Sequence, residues 1–208
     1  MDVWEKIIIL RKSFADRAES FTEAQWDTPS LCVGWRVRDV AAHTIVPERF
    51  SLVRGFPYML KARFDLNRML AEDAVRRGSV PIPELLAAYR EGIPRRSVPP
   101  GRTALNLLTD LVIHCQDMFR PLGLTHPYPA DVLLSVAGTI HNDKVLGGPT
   151  RTAGLRMTAL DVDWSVGDGP EVTGPIEALI LATVGRSVAL ADLTGSGLPV
   201  LSSRLAAG

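Results

Sequence analysis

The 208-residue sequence predicts a mainly α protein, with a helical bundle over residues 1–149 followed by a small α/β domain over residues 150–208. Three observations predict it. Apolar residues recur at three- and four-residue steps through most of the first 149 positions, the period of a helix face. The run Leu146-Gly147-Gly148-Pro149 interrupts that pattern. Beyond it Leu155, Met157 and Ala159, then Leu160, Val162, Trp164 and Val166, alternate as strand residues do, as far as the turn signal Gly167-Asp168-Gly169-Pro170.

Each element has its own signal. Trp4, Ile7, Ile8, Leu10, Phe14 and Ala18 predict a first helix over 2–20. The stretch 21–35 is rich in turn residues, including Asp27, Pro29, Ser30 and Gly34. A second helix is expected from Trp35 or Arg36, with Val37, Val40, Ala41 and Thr44 inward and His43 bordering that stripe; Pro47 should kink or restart it. A third helical region over 56–77 carries Tyr58, Met59, Phe64, Leu66, Met69 and Leu70. A short helix over 83–91 turns Leu85, Leu86 and Tyr89 inward, and 92–102 reads as a loop long enough to cover a site. Helices follow over 103–123 and 129–145. In the tail, Pro175 suits the first position of a helix with Ile176, Leu179, Ile180 and Val184 on one face, and a last strand is expected around 188–193.

Composition narrows the function classes. The chain is 46% hydrophobic and 22% charged, with 23 basic against 23 acidic residues. That balance, with no clustered basic run, argues against a nucleic-acid or anionic-membrane surface. No apolar run approaches the ~18 residues of a membrane span, and the N-terminal stretch lacks the pattern of a signal peptide. Cys32 and Cys115 have no CxxC spacing, which suits a reducing cytoplasm and two small buried hydrophobes. A monomer or a homodimer is expected.

Residues 103–123 organise the chain. Leu105, Leu108, Val112, Cys115 and Phe119 form one apolar stripe, and Leu107, Leu111 and Met118 a second. A helix so apolar around its girth should be largely buried. Yet Asp110, His114 and Asp117 stack on one side of it at i, i+4 and i+7. Buried polar groups must be satisfied. Either the aspartates face solvent and His114 bonds within the core, or Asp110 and His114 hold a metal with a third ligand from a facing helix. His43 is the best placed third ligand, because His126 lies in a loop and His141 at a helix end.

At these residues the sequence resembles a known family. The run PSLCVGWRVRDVAAH (29–43) is similar to the N-terminal signature of the mycothiol-dependent maleylpyruvate isomerase family of the DinB-like superfamily. DLVIHCQDMFRPLG (110–123) resembles its second signature, and the tail with Trp164, GDGPEVTGP and VGR (184–186) resembles its small C-terminal domain. The resemblance implies a DinB-like four-helix bundle in which His43, Asp110 and His114 bind a divalent ion, zinc being the first choice. It places Asp117 behind them, orienting a ligand or a neighbouring arginine. The family usually has glutamate where this chain has Asp110. Two imidazoles and a carboxylate are a common catalytic zinc set with one position open.

The expected function is a metal-dependent, mycothiol-using isomerase or thiol transferase acting on a small electrophilic substrate, with a metal-activated thiolate as nucleophile. Its partners are then a low-molecular-weight thiol and a small molecule. Arg186 is the candidate cation for an anionic substrate, its alternative being a structural contact near a helix end; Arg95, Arg96 and Arg102 are further candidates. The rival expectation is a non-catalytic metal- or thiol-binding protein of the same fold.

Overall fold

A computed structural model describes residues 1–45 and 52–207. Among these, helices α1 (Val3–Ala18), α2 (Glu23–Trp26), α3 (Val37–Thr44), α4 (Leu52–Lys61), α5 (Leu66–Gly78), α6 (Ile82–Gly92) and α7 (Ala104–Phe119) come first. Then α8 (Ala130–Ile140), α9 (Gly148–Thr152), α10 (Ile176–Thr183) and α11 (Leu198–Ala206) accompany strands β1 (Arg156–Ala159), β2 (Ser165–Val166) and β3 (Glu171–Gly174). The described residues are mainly helical with one small sheet. Its contacts divide it into two compact units, Met1–His126 and Pro127–Gly208.

The first unit is a helical bundle. On α1, Ile7, Leu10, Phe14 and Ala18 are all but fully buried, as their spacing requires. Asp2 and Glu5 form a capping box that starts the helix. The α7 helix packs against both α1 and α3, and Phe14 meets Tyr89 of α6 at 4.8 Å and Phe119 of α7 at 5.9 Å between ring centroids. Buried Arg11 donates from Nη1 to the carbonyls of Gly92, Ile93 and Arg95, satisfying the C-terminal end of α6. On α3, Val37, Val40, Ala41 and Thr44 are buried. Its N-terminal end is held by Arg36, whose guanidinium bridges Asp39 and Asp27, while Arg38 donates to the carbonyls of Gly78 and Val80. Gly78 lies against α3 so closely that a Cβ there would sit 2.8 Å from the Asp39 Cα.

The helical region expected over 56–77 is two helices. Residues 62–65 turn between α4 and α5, with Arg63 and Phe64 at φ values of 56° and 61°. Tyr58, Phe64, Leu66 and Leu70 are exposed, so apolar character there did not report burial. The break expected at Pro47 lies outside the described residues.

In the second unit the sheet runs β2-β1-β3, with β1 antiparallel to β2 and parallel to β3. Met157 and Val172, paired across β1 and β3, are fully buried. The α10 helix packs on α8, on the sheet and on the segment that follows it. The sequence signals a break at Gly147–Pro149, whereas contacts divide the chain before α8, because α8 packs on α10. The strand expected at 188–193 is instead a turn of 3₁₀ helix, Ser187–Asp192; an isolated bridge from Thr194 to Thr173 is the extended pairing that follows. Strand β3 and helix α11 have no clear periodic signal in the sequence.

Candidate metal centre

The α7 helix starts at Thr103, whose hydroxyl accepts from the Asn106 amide while the Asn106 side chain accepts from Thr103 N–H. From there its 3.6-residue period sets Asp110, His114 and Asp117 along one side. The imidazole of His114 is held between the two carboxylates. Its Nε2 lies 3.5 Å from Asp110 Oδ1 and its Nδ1 lies 3.0 Å from Asp117 Oδ2. The carboxylates differ in environment: the Asp110 side chain is 43% exposed and that of Asp117 is 0% exposed. From α3, His43 meets His114 edge to face, with 5.0 Å between centroids. One ligand atom each from His43, Asp110 and His114 lie within 4.8 Å of one another.

A loop closes over the other side of His114. Residues Pro29 and Arg36 bridge its base, Ser30 N–H donates to Trp35 O, and Trp35 N–H returns to Cys32 O. Gly34 sits at φ +78°, a conformation that side chains disfavour, which lets the loop reverse. The loop is tied to α7 by a bond the sequence makes available. In a helix the carbonyl of Asp117 would accept from residue 121, but that residue is Pro121 and has no N–H. Leu31 N–H takes the vacant acceptor at 3.1 Å. Cys32 follows, its Sγ 3.1 Å from Asp117 Oδ2 and 3.7 Å from His114 Nδ1. The Trp35 ring then lies 5.0 Å from His43 and 6.5 Å from His114. A surface groove of about 530 Å³ runs past Trp35 between Val33, Lys61, Val75 and Arg76.

The charges divide between the two histidines. Burial, and then the facing His114, push His43 down to about 4, against the pull of Asp110. At neutral pH its imidazole therefore keeps a lone pair to offer. Burial also opposes charge on His114, yet Asp110, together with hydrogen bonds to Asp117 and Cys32, raises it well above an ordinary histidine. Partial loss of hydration would raise Asp110, which is only part-covered, but the charge and hydrogen bond of His114, with His43 and Arg102, hold its carboxyl below the usual range. A cation between His43 and Asp110 would take the place of a proton on His114 Nε2.

The donor set suits such a cation. A tetrahedral ion with bonds of about 2.1 Å needs donors about 3.4 Å apart, and Asp110 Oδ1 and His114 Nε2 are already 3.5 Å apart. The ligand atom of His43 lies within 4.8 Å of both. Asp117 then accepts the other ring N–H, the usual way in which a ligating imidazole is oriented.

Comparison with known proteins agrees with the fold. Residues 9–119 match the family described as mycothiol maleylpyruvate isomerase N-terminal domain. The chain belongs to this family. Two solved structures are similar over 94% of this chain and 93% of theirs, each at 18% identity. One is a mycothiol-dependent maleylpyruvate isomerase, at a TM-score of 0.52, and the other a histidine-to-alanine mutant under the same name, at 0.50. At that identity the likeness speaks to fold. No match is found among curated proteins.

The family match covers α7 and α3, and with them every residue of the candidate centre. Of the residues singled out in the sequence, His43, Asp110, His114 and Asp117 come together. His126 and His141 do not join them: His126 is buried and stacked on Phe119, and His141 bonds Thr152 in the second unit. Arg186 also belongs to the second unit, where it follows Gly185 and donates its N–H to Leu181 O. Helical spacing gives no site role to Cys32 or Trp35, which the structure places beside His114. Cys115 is the buried hydrophobe expected of it, but Cys32 is half-buried with its thiol on Asp117. The available signal was Pro121, four residues after Asp117, which opens an acceptor for a neighbouring loop.

Proposed function

We propose that this chain is a metal-dependent, mycothiol-using isomerase or thiol transferase acting on a small electrophilic substrate. The observation that carries the reading is the convergence of His43, Asp110 and His114 from two separate helices to within 4.8 Å. Their neutral imidazole, tethered imidazole and carboxylate form a set that would hold one divalent ion, zinc by preference, with a position left open. Such an ion lowers the pKa of an incoming thiol and makes it a thiolate at neutral pH.

The chain's own residues do the rest. His43 offers its lone pair without first losing a proton. Asp117 retains the Nδ1 proton of His114 and so directs Nε2 toward Asp110. Asp110, being 43% exposed, marks the open side from which a thiol would arrive. The Trp35 ring lies beside both histidines on the loop side. In an isomerase the thiol adds to an electrophilic carbon, a former cis double bond rotates, and the thiol departs; in a transferase the adduct is kept. Arg186 is our candidate for an anionic group of the substrate. Among the described residues no helix is long and apolar enough to cross a membrane.

Metal analysis of the purified protein, followed by incubation with mycothiol and a panel of electrophiles, tests the reading. Stoichiometric zinc with thiol-dependent turnover is expected. Zinc without thiol consumption across the panel would favour the second reading, a non-catalytic metal- or thiol-binding protein, which the shorter carboxylate at Asp110 makes the natural rival. Protein without metal affinity would remove both.

A further inference from the structure

Cys32 lies outside the ligand set yet touches the group that supports it. Its thiol is 3.1 Å from Asp117 Oδ2, the oxygen that also faces His114 Nδ1 at 3.0 Å. Asp117 is completely buried, so its carboxyl oxygens need hydrogen-bond partners there. The thiol is an acceptable donor, and the imidazole Nδ1–H is another. The position of Cys32 is set by backbone as well as side chain. Pro121 leaves the Asp117 carbonyl open, Leu31 N–H occupies it, and Cys32 is the next residue. Ser30 Oγ accepts from Cys32 N–H at 3.1 Å, which steadies the loop at that point. One residue of α7 thus receives the loop twice, once at its carbonyl and once at its carboxylate.

We infer that Cys32 is a positioning residue, whose S–H donates to Asp117 so that Asp117 holds the Nδ1 proton of His114 and turns Nε2 toward His43 and Asp110. The inference rests on the metal-site reading for its consequence, but its geometry is present in the protein alone. The sulfur and the Asp117 carboxylate are also close enough to His114 for an ion to be imagined on that side, since one ligand atom from each lies within 4.8 Å of the others. Two facts favour a hydrogen-bond chain over a second ligand set. Asp117 has no exposure, and both the thiol and the imidazole already stand at hydrogen-bonding distance from a single oxygen of it.

The test uses three full-length variants, Cys32→Ala, Cys32→Ser and Asp117→Asn, and two measurements. The first is the imidazole ¹⁵N–¹H spectrum with and without zinc. The second is the zinc dissociation constant. In the wild type a His114 Nδ1–H cross peak, protected from exchange, is expected in both states. Cys32→Ala should expose that proton and weaken zinc about tenfold, the lower end of what losing an outer partner costs. Cys32→Ser, which keeps a donor, should restore both; a purely structural cysteine would be replaced as well by alanine as by serine. Asp117→Asn should expose the proton and weaken zinc more than Cys32→Ala. An unchanged cross peak and unchanged zinc affinity in Cys32→Ala would overturn the inference. So would X-ray absorption showing a zinc–sulfur distance of about 2.3 Å, because the thiol would then be a ligand. Wild-type protein that bound no zinc would instead defeat the functional reading, and the metal-free spectra would still decide the role of Cys32.

Discussion

Two histidines on neighbouring stretches of chain have opposite surroundings. His114, on α7, stands between Asp110 and Asp117 and faces His43. His126, just beyond that helix, is 3% exposed and lies flat on Phe119, 5.1 Å between centroids and 3° from parallel. Burial lowers the pKa of both, and in His126 it prevails, with Arg17 assisting, to bring it to about 4. In His114 the carboxylates overcome it. Burial alone does not make a histidine a ligand. A carboxylate that orients one ring nitrogen and another that flanks the second distinguish the two, and neither feature is visible from hydropathy.

The largest effect should come from breaking the set that His114 belongs to. Alanine at His43, Asp110 or His114 should each weaken zinc by at least about a thousandfold, ~4 kcal/mol, since one of few ligands is lost. His126→Ala and His141→Ala should leave zinc affinity within about twofold. Isothermal titration of the five variants checks this, and equal affinity in all of them would erase the distinction between the histidines.

The next effect is on stability rather than metal. A histidine near 4 in the folded protein and near 6.5 unfolded favours the neutral state, so its contribution is fully present above pH 6.5 and is lost as pH falls toward 4. The shift corresponds to about 3 kcal/mol at most. Metal-free wild type should therefore lose more stability between pH 6.5 and 4.5 than His126→Gln, measured by urea unfolding in chelator. His114 has the opposite sign: being raised, its contribution is present below pH 6.5 and is lost as pH rises through its folded value. Parallel pH profiles for wild type and His126→Gln would show that His126 is not the buried neutral base described.

A smaller effect tests what carries His43 to its place. A Cβ at residue 78 would sit 2.8 Å from the Asp39 Cα, so Gly78→Ala must push α5 and α3 apart. Overpacking of this kind costs about 2 kcal/mol. Because α3 carries His43, zinc affinity should fall as well, while the His126 pH profile stays as it is. Full stability in Gly78→Ala would mean that the α3–α5 contact is looser than it stands.

The same contrast explains how much was legible in the sequence. The i, i+4, i+7 spacing on α7 exposed one side of the centre, because helical geometry converts spacing directly into direction. Bringing His43 to it rests on helix packing that spacing cannot specify, and the resemblance at 29–43 supplied that step. The loop holding Cys32 was illegible by periodicity, since its anchor is a carbonyl freed by Pro121. The apolar residues of α4 and α5 misled for a related reason: Tyr58, Phe64 and Leu66 look like a core face, yet they are exposed. The expected strand at 188–193 failed because local turn hydrogen bonds, Ala189 N–H to Arg186 O and Leu193 N–H to Leu190 O, supplied what a sheet would have. Strand β3, Glu171–Gly174, has Val172 as its single large apolar side chain, too little for alternation to register in the sequence.

The smallest effect separates the helix from the centre it carries. Thr103 caps α7 by accepting from Asn106 N–H, and Asn106 answers by accepting from Thr103 N–H, so two orphan donors of the first turn are satisfied reciprocally. Thr103→Ala removes one acceptor and should cost about 1 kcal/mol. Asp110 lies two turns further along and His114 a third, while fraying from a lost cap is confined to the first turn. Loops and helices packed around Leu108, Leu111 and Val112, all nearly inaccessible, hold the remainder of α7 in place. Thr103→Ala should therefore lower the melting temperature by a few degrees and leave both the zinc affinity and the protected His114 Nδ1–H proton unchanged. A cap variant that weakened zinc as much as it weakened folding would show that α7 transmits its end to its middle, and the two histidines would then differ by the rigidity of their supports as well as by their neighbours.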